Sequence, residues 1–171
     1  EEMIQEMVRN FAIHLTSDLI DGFQRQGLSV YQAVTLASMV EREAVQEEEQ
    51  ALIASVYLNR LNIAMKLDAD PTVQYAIGYN FLQQTWWTNP LSLIDLQVNS
   101  LFNTYRYEGL PPTPIANPSL SALRAVADPA LVGQALFGRE GGKARHPGEA
   151  PPHHVAADRH VEEAVAHRID V

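Results

Sequence analysis

The stretch LASMVEREA, residues 36–44, decides how this chain folds, because it places an acid on the apolar side of a helix. The helical face ends in a carboxylate, and its members at i, i+3, i+4 and i+7 are Leu36, Met39, Val40 and Glu43. Apolar neighbours disfavour the charged form of a carboxyl group and raise its pKa. An acid that stays protonated near neutral pH can act as a general acid. The alternative is a structural ion pair at the helix edge.

Capping and stop signals predict further helices on both sides of this stretch. Ser29, with Gln32 three residues later, forms a capping box that opens the helix of Glu43. A third helix is predicted over 51–62. Before Ser29, an apolar face predicts one long helix or two short ones; its members are Ile4, Met7, Val8, Phe11, Leu15, Leu19, Ile20 and Phe23.

Two Asx–proline pairs predict helix starts in the second half of the chain. Asp70 before Pro71 predicts an Asp cap on a short helix, and Asn117 before Pro118 predicts the same for a later one. Residues 79–107 between them are rich in aromatic residues, and their pattern predicts mostly irregular structure. This second half is therefore expected to carry short helices joined by long loops.

Composition bounds the class of protein. The chain has 171 residues, of which 46% are hydrophobic and 19% charged, as in globular domains. A net charge of −9 disfavours binding to nucleic acid or an anionic membrane through a basic face. There is no cysteine, so thiol chemistry is excluded. No apolar run is long enough to span a bilayer, and the missing initiator Met predicts a fragment of a longer protein.

Other candidate groups have weaker sequence support than Glu43. Asp68 is interpreted as a solvated loop acid and Asp70 as the helix cap. Four histidines, His146, His153, His154 and His160, lie in the polar tail without an HExxH arrangement, so no metal and no cofactor are predicted. Several aromatic residues could line a sugar groove or simply pack in the core and loops: Trp86, Trp87, Tyr75, Tyr79, Tyr105 and Tyr107.

The composition changes after residue 138, where glycine and proline become frequent. This change predicts one domain over 1–138. It also predicts a divergent flexible connector with a weak C-terminal helix over 139–171.

Three strings resemble the catalytic domain of the MltG-type (YceG-like) endolytic murein transglycosylase family. They occur in the family's order and cover roughly residues 1–130: LASMVEREA, IASVYLNRLNIAMKLDADPTVQYAIG and FNTYRYEGLPPTPIANPSLSALRAV. The combination of DPTV, NTY and GLPPTPIANP is far more specific than any one of these motifs. The resemblance implies an α+β fold: a helix-dominated catalytic domain with a small β-sheet, which the divergent C-terminus leaves incomplete or differently built.

The resemblance also implies an activity and a set of site residues. The activity is cleavage between N-acetylmuramic acid and N-acetylglucosamine within glycan strands, which leaves 1,6-anhydro ends, and the catalytic glutamate falls on Glu43. Residues proposed to orient the sugar or the acid are Asn103, Thr104, Tyr105, Thr72 and Gln74. Two alternatives stay open: Asn103 could hold a loop turn, and Tyr105 could be a packed aromatic.

The expected partners are peptidoglycan glycan strands and cell-wall synthases, with no nucleic acid. The expected location is the extracytoplasmic face of the bacterial cytoplasmic membrane, through an N-terminal anchor that this chain does not contain. Two other functions compete with this one. The chain could be a non-catalytic peptidoglycan-binding module of a cell-wall synthesis complex, or a hydrolase that uses water with Glu43 and Asp70.

Overall fold

A computed structural model describes residues 2–131 of the chain. Six α-helices follow one another: α1 (Glu2–His14), α2 (Ser17–Arg25), α3 (Val30–Glu43), α4 (Gln50–Asn62), α5 (Asp70–Ile77) and α6 (Leu120–Ala127). Two short 3₁₀ helices, Glu47–Glu49 and Asp95–Gln97, lie in the connections. None of the helices between residues 2 and 131 is both long and apolar enough to cross a membrane.

The helix-dominated part of the predicted α+β fold is present, but the β-sheet is not seen in residues 2–131. The one strand-like pairing found there is an isolated antiparallel bridge between Asn80 and Thr85. The C-terminal sequence from which the sheet was predicted, the domain boundary at 138 and the predicted helix in 139–171 all lie outside the described residues. They therefore stay predictions.

The core forms where α6 packs against α2, α3 and α4. Phe23 of α2, Leu36 and Val40 of α3 and Val126 of α6 are completely buried there. Close approach of α2 and α6 depends on Gly22, because a Cβ atom at that position would lie 2.5 Å from the Cβ of Ala127. The two backbones meet in a way that only a glycine permits.

Helix α3 is fixed at both ends, and this positions Glu43. The predicted capping box is confirmed: the Ser29 hydroxyl accepts from the Gln32 backbone N–H, and the Gln32 side chain accepts from the Ser29 backbone N–H. In the middle of the helix, the buried Ser38 hydroxyl accepts from the backbone N–H of Ile115 at 3.0 Å and so attaches the proline-rich loop. At the other end, α3 stops at Glu43, because Ala44 takes an extended conformation.

The first predicted apolar face is divided between two helices with different environments. Leu19 and Phe23 of α2 are buried as predicted, but α1 contains no buried residue. The helix is interrupted after α1, and Thr16 caps α2 by accepting from the backbone N–H of Leu19. Helical spacing thus indicated the apolar face of α1 correctly, but not whether another part of the chain covers it.

Both predicted Asx caps are wrong, each for a tertiary reason. Ala69 is the cap position of α5, and Asp70 is its first helical residue. The cap of α6 is Ser119 rather than Asn117. Asp70 also accepts from Tyr105, and Ser119 also donates to Glu41; local capping rules take no account of partners so distant in sequence.

Candidate active site

Glu43 lies at the end of α3, half-buried between that helix and α4. Its Oε2 accepts a hydrogen bond of 3.2 Å from the hydroxyl of Tyr57, a buried residue of α4. Tyr57 therefore fixes the direction of the carboxyl group without sealing it from solvent. Packing of α3 on α4 creates this contact.

The environment raises the pKa of Glu43 from its ordinary value to about 7, mainly because burial disfavours the carboxylate. The negative charge of Asp70 raises it further. The hydrogen bond from Tyr57 and the positive charge of Arg60 act in the opposite direction, since both favour the ionised form. Near neutral pH the group is thus present in both protonation states, as a residue that first gives and then takes a proton requires.

Asp70 belongs to the same cluster. Its Oδ1 accepts a hydrogen bond of 2.7 Å from the hydroxyl of Tyr105. Burial and the neighbouring carboxylate of Asp70 raise the pKa of Tyr105 well above its ordinary value, so this phenol stays protonated. The structure therefore brings together Glu43, Tyr57, Asp70 and Tyr105, which come from three helices and one loop.

Thr72 and Thr104 join the DPTV and NTY motifs beneath this cluster. Both side chains are buried, and their hydroxyl oxygens are 2.9 Å apart. The Thr104 hydroxyl also accepts from the backbone N–H of Ala69 at 3.0 Å, and the Thr72 hydroxyl donates to the Ala69 carbonyl. The two threonines bond to each other and to the start of α5, so they hold Asp70 and Tyr105 in place.

Asn103 holds a loop turn, which was one of the two roles that the sequence allowed for it. Its side-chain amide donates to the carbonyls of Leu96 and Val98, and its Oδ1 accepts from the backbone N–H of Tyr105. The side chain is completely buried. Asn103 therefore shapes the loop that presents Tyr105.

Gln74 supports a different loop. Its Nε2 donates to the carbonyl of Thr88 at 2.9 Å, and the Thr88 hydroxyl in turn accepts from the side chain of Asn80. These bonds attach the aromatic segment to α5. Of the five predicted sugar- or acid-orienting residues, Tyr105 alone is both partly exposed and bonded within the cluster.

Aromatic side chains form an exposed surface on the segment that Gln74 attaches. Tyr79 contacts Phe81 and Trp86 edge-on, with ring centroids 5.1 and 5.4 Å away. Trp86 is 63% exposed and Phe81 84% exposed, so neither is a core residue. Trp87 stacks instead under the guanidinium of Arg42, the residue next to Glu43, at 3.8 Å. The arrangement places this segment against the end of α3.

Two members of the site were not predicted, Tyr57 and Arg60, and a third, Asp70, was given a role in the site only by the competing hydrolase hypothesis. Tyr57 falls in the helix predicted over 51–62, and Asp70 was interpreted mainly as a helix cap. Arg60 donates from Nη1 to the carbonyl of Leu67 at 2.6 Å and lies 3.7 Å from Asp68, so it holds the loop before α5. This pairing corrects the view of Asp68 as a solvated loop acid. The one available signal was that all three occur within the same family string.

The other acid of the VERE sequence has a structural role. Glu41 lies half-buried, and its Oε2 accepts from both the backbone N–H and the hydroxyl of Ser119, at 3.0 and 2.5 Å. It therefore anchors the start of α6. The described part of the chain contains no group of three His, Cys, Asp or Glu side chains that could hold a metal; most histidines lie outside it.

The fold and the site together define a helical domain that presents one protonatable acid beside an aromatic surface. Comparison with known proteins gives the family. The chain belongs to the YceG-like family, which matches residues 1–146.

Named relatives and a solved structure agree with this family. An endolytic murein transglycosylase of Bacillus subtilis is 33% identical over 133 residues, which are 75% of this chain and 34% of the relative. An endolytic murein transglycosylase of Streptococcus pneumoniae is 33% identical over 73% of this chain and 21% of its own length. The crystal structure of a yceG-like protein from Listeria monocytogenes superposes with a TM-score of 0.65 at 36% identity, over 75% of this chain and 40% of that one. The chain thus spans about a third or less of the two relatives.

Proposed function

We propose that this chain carries the catalytic domain of an endolytic murein transglycosylase, with Glu43 as its single acid and base. The observation that carries the proposal is the half-buried carboxyl of Glu43, whose pKa is raised to about 7 and which Tyr57 orients. The names of the relatives supply the reaction class and the substrate class. The bond cleaved would join N-acetylmuramic acid to N-acetylglucosamine within a glycan strand.

The proposed reaction needs only one carboxyl group. Protonated Glu43 donates its proton to the glycosidic oxygen as the bond from C1 of the muramyl residue breaks. The resulting carboxylate accepts the proton of the C6 hydroxyl of the same sugar, and the C6 oxygen bonds to C1. The 1,6-anhydro product forms, Glu43 returns to its protonated state, and no water is consumed. Attack within one sugar gains from its preset geometry.

The neighbours of Glu43 adjust its acidity and hold the surrounding loops. Asp70 favours the protonated acid and Tyr57 favours the carboxylate, so the two together keep the pKa near neutrality. Thr72, Thr104, Asn103 and Gln74 are positioning residues in this proposal, because their side chains bond within the protein. Tyr105 remains the candidate for direct contact with the sugar. The exposed rings of Trp86, Tyr79 and Phe81 offer apolar faces on which pyranose rings can stack.

A hydrolase remains the second candidate, because the charge of Asp70 acts on Glu43 and the pair could activate water. Asp70 accepts a hydrogen bond from Tyr105. This bond is compatible with a purely structural role for Asp70 as well as with a role as a base. The mass of the products separates the two reactions, since hydrolysis adds one water to each cleavage product. A binding module without activity would retain glycan strands and leave them intact.

The experiment is a digest of purified peptidoglycan followed by mass spectrometry of the released fragments. We expect the wild type to release fragments with anhydro ends. Glu43→Gln should release them at least about a hundredfold more slowly, because loss of a general acid has an effect of this size. Glu48→Gln, a change of the same kind at an exposed acid of the 47–49 turn, is the matched control and should cut normally. Full activity in Glu43→Gln would refute the proposal.

The proposed partners and location follow from the proposed substrate. Peptidoglycan lies outside the bacterial cytoplasmic membrane, so we propose the extracytoplasmic face of that membrane as the site of action. Cell-wall synthases, which make the strands, are proposed as partners on the same ground.

A further inference from the structure

A cavity of about 400 Å³ opens beside Tyr105, and its lining includes two positive side chains. Its lining consists of Lys66, Leu96, Gln97, Tyr105 and Arg106. None of the five lining residues is acidic, although Asp68 lies close enough to interact with Lys66, and both Asp68 and Asp70 interact with Tyr105. A local positive site on an acidic protein is a feature that a negatively charged ligand would recognise.

The cavity is held in shape by bonds already described for the candidate site. Arg106 donates from Nη1 to the carbonyl of Gln97 at 2.8 Å, which fixes the direction of its guanidinium. A guanidinium carries further N–H donors that can bind a ligand. Asn103 donates to the carbonyls of Leu96 and Val98, on either side of Gln97. The wall that presents Arg106 is therefore built by the NTY loop itself.

Tyr105 connects this cavity to the proposed acid. Its side chain contributes to the lining, while its hydroxyl donates to Asp70, whose charge acts on Glu43. A ligand group in the cavity would thus lie one aromatic side chain away from the reacting sugar. The muramyl residue carries, on C3 of the ring whose C1 reacts, a lactyl arm that extends into the stem peptide and its carboxylates.

We propose that Lys66 and Arg106 bind a carboxylate of the stem peptide carried by the muramyl residue at the cleaved bond. The proposal rests on the proposed function, because it supplies the substrate. Arg presents a planar donor pair that matches a carboxylate, and Lys adds a second positive charge. The cavity would then select strands that carry peptides over strands from which peptides have been removed.

Three substrates and one double variant of the full chain test this subsite. Cleavage rates are compared on strands with intact peptides, on the same strands after their carboxylates are converted to amides, and on strands stripped to the free lactyl carboxylate. We expect the wild type to prefer the first substrate over the amidated one by roughly tenfold, since each exposed ion pair contributes about two- to fivefold. In Lys66→Met/Arg106→Gln this preference should fall to about one. Arg25→Gln, at an exposed position on α2, is the control and should keep the preference.

The three substrates separate the sources of the carboxylate. Cleavage of stripped strands as fast as peptide-bearing strands would overturn the peptide proposal. A preference for stripped strands over both other substrates would assign the subsite to the lactyl carboxylate, which is an amide while the peptide is attached. A wild type without preference, or a double variant that keeps it, would also overturn the proposal. Thermal unfolding of the double variant shows whether a lost preference comes from a lost fold.

A binding measurement tests the subsite even if the proposed cleavage activity is absent. If the wild type cuts none of the strands, calorimetry measures the binding of a purified disaccharide–peptide and of its amidated form. Tighter binding of the charged form, lost in the double variant, would support the subsite in a protein without this activity. Equal binding of both forms would overturn it.

Discussion

At the scale of single residues, opposing neighbours set the acidity of Glu43. Burial and the charge of Asp70 raise its pKa, while Tyr57 and Arg60 lower it. Such tuning of one carboxyl group by desolvation and nearby charge is how enzymes obtain an acid near neutral pH. The pH dependence of the reaction should therefore report on each neighbour separately.

Asp70→Asn and Tyr57→Phe should move the alkaline limb of the pH–rate profile in opposite directions. For the wild type we expect the rate to fall as pH rises through about 7, because the donor form of Glu43 is lost. Removal of the Asp70 charge lowers the pKa of Glu43 and moves this limb to lower pH, while the amide oxygen can still accept from Tyr105. Removal of the Tyr57 hydroxyl raises the pKa and moves the limb to higher pH.

Two exposed changes serve as controls for these profiles. Asp21→Asn removes an exposed acid of α2, and Tyr31→Phe removes a hydroxyl that donates to the carbonyl of Pro112. Neither should move the alkaline limb. A shift of both test variants in the same direction would show that the profile does not report on Glu43.

Residue-scale inference from sequence succeeded where one helix contains the whole pattern. Spacing within α3 indicated that Glu43 lies beside apolar residues, and the raised pKa agrees with that argument. Tyr57 was missed, and Asp70 was paired with Glu43 only in the hydrolase alternative, because their approach to Glu43 depends on how α3 packs on α4 and α5. For Asp70 a local cap was the simplest explanation, but its carboxylate accepts a hydrogen bond from Tyr105, which is distant in sequence.

At the scale of helices, the α2–α6 contact leaves no room for a side chain at Gly22. Gly22→Ala should reduce the free energy of unfolding by about 1–2 kcal/mol, because overpacking costs more than the roughly 1 kcal/mol that alanine gains in helix propensity. A Cβ there would meet the Cβ and backbone of Ala127, so α6 has to move. Denaturant unfolding measures the change.

A second substitution tests the cause of that loss. Ala127→Gly in the Gly22→Ala background removes the nearest atom and should restore part of the stability. Gln24→Ala, an exposed change on the same helix, should have an effect below about 0.5 kcal/mol. Independent, additive effects of the two substitutions at positions 22 and 127 would contradict the proposed contact.

Helix starts were predicted correctly where the cap residue bonds only within its own helix start. They were not predicted where the cap residue also bonds to a distant part of the chain. Ser29 and Gln32 are three residues apart and form the box as predicted. Ser119 caps α6 while also bonding to Glu41, 78 residues earlier in the chain. The absence of buried residues in α1 could not be predicted, since helical spacing defines an apolar face but not the partner that covers it.

At the scale of the whole molecule, the same acid links stability to pH. The pKa of Glu43 in the folded protein, about 7, is above its ordinary value of 4.5, so the folded state binds this proton more tightly than the unfolded state. Its contribution to stability is therefore full below about pH 4.5 and is lost as pH rises toward 7. Above that range the buried charge is a cost to the fold.

Glu43→Gln should remove this cost and with it the pH dependence. We expect the variant to be more stable than the wild type by about 1–3 kcal/mol at pH 8, after allowance for the solvent that reaches a half-buried group. At pH 4 the two proteins should be nearly equal. Denaturant unfolding at both pH values checks this, and an equal difference at both would rule out a raised pKa.

The two acids of α3 leave its last turn on opposite sides, and each is bonded to a different helix. Glu41 accepts from Ser119 at the start of α6, and Glu43 accepts from Tyr57 of α4. Rotation of that turn about its axis would break both bonds together. Glu43 is therefore held in place by the packing of α3 on its neighbouring helices. Any adjustment to an arriving glycan strand has to come from the loops around it.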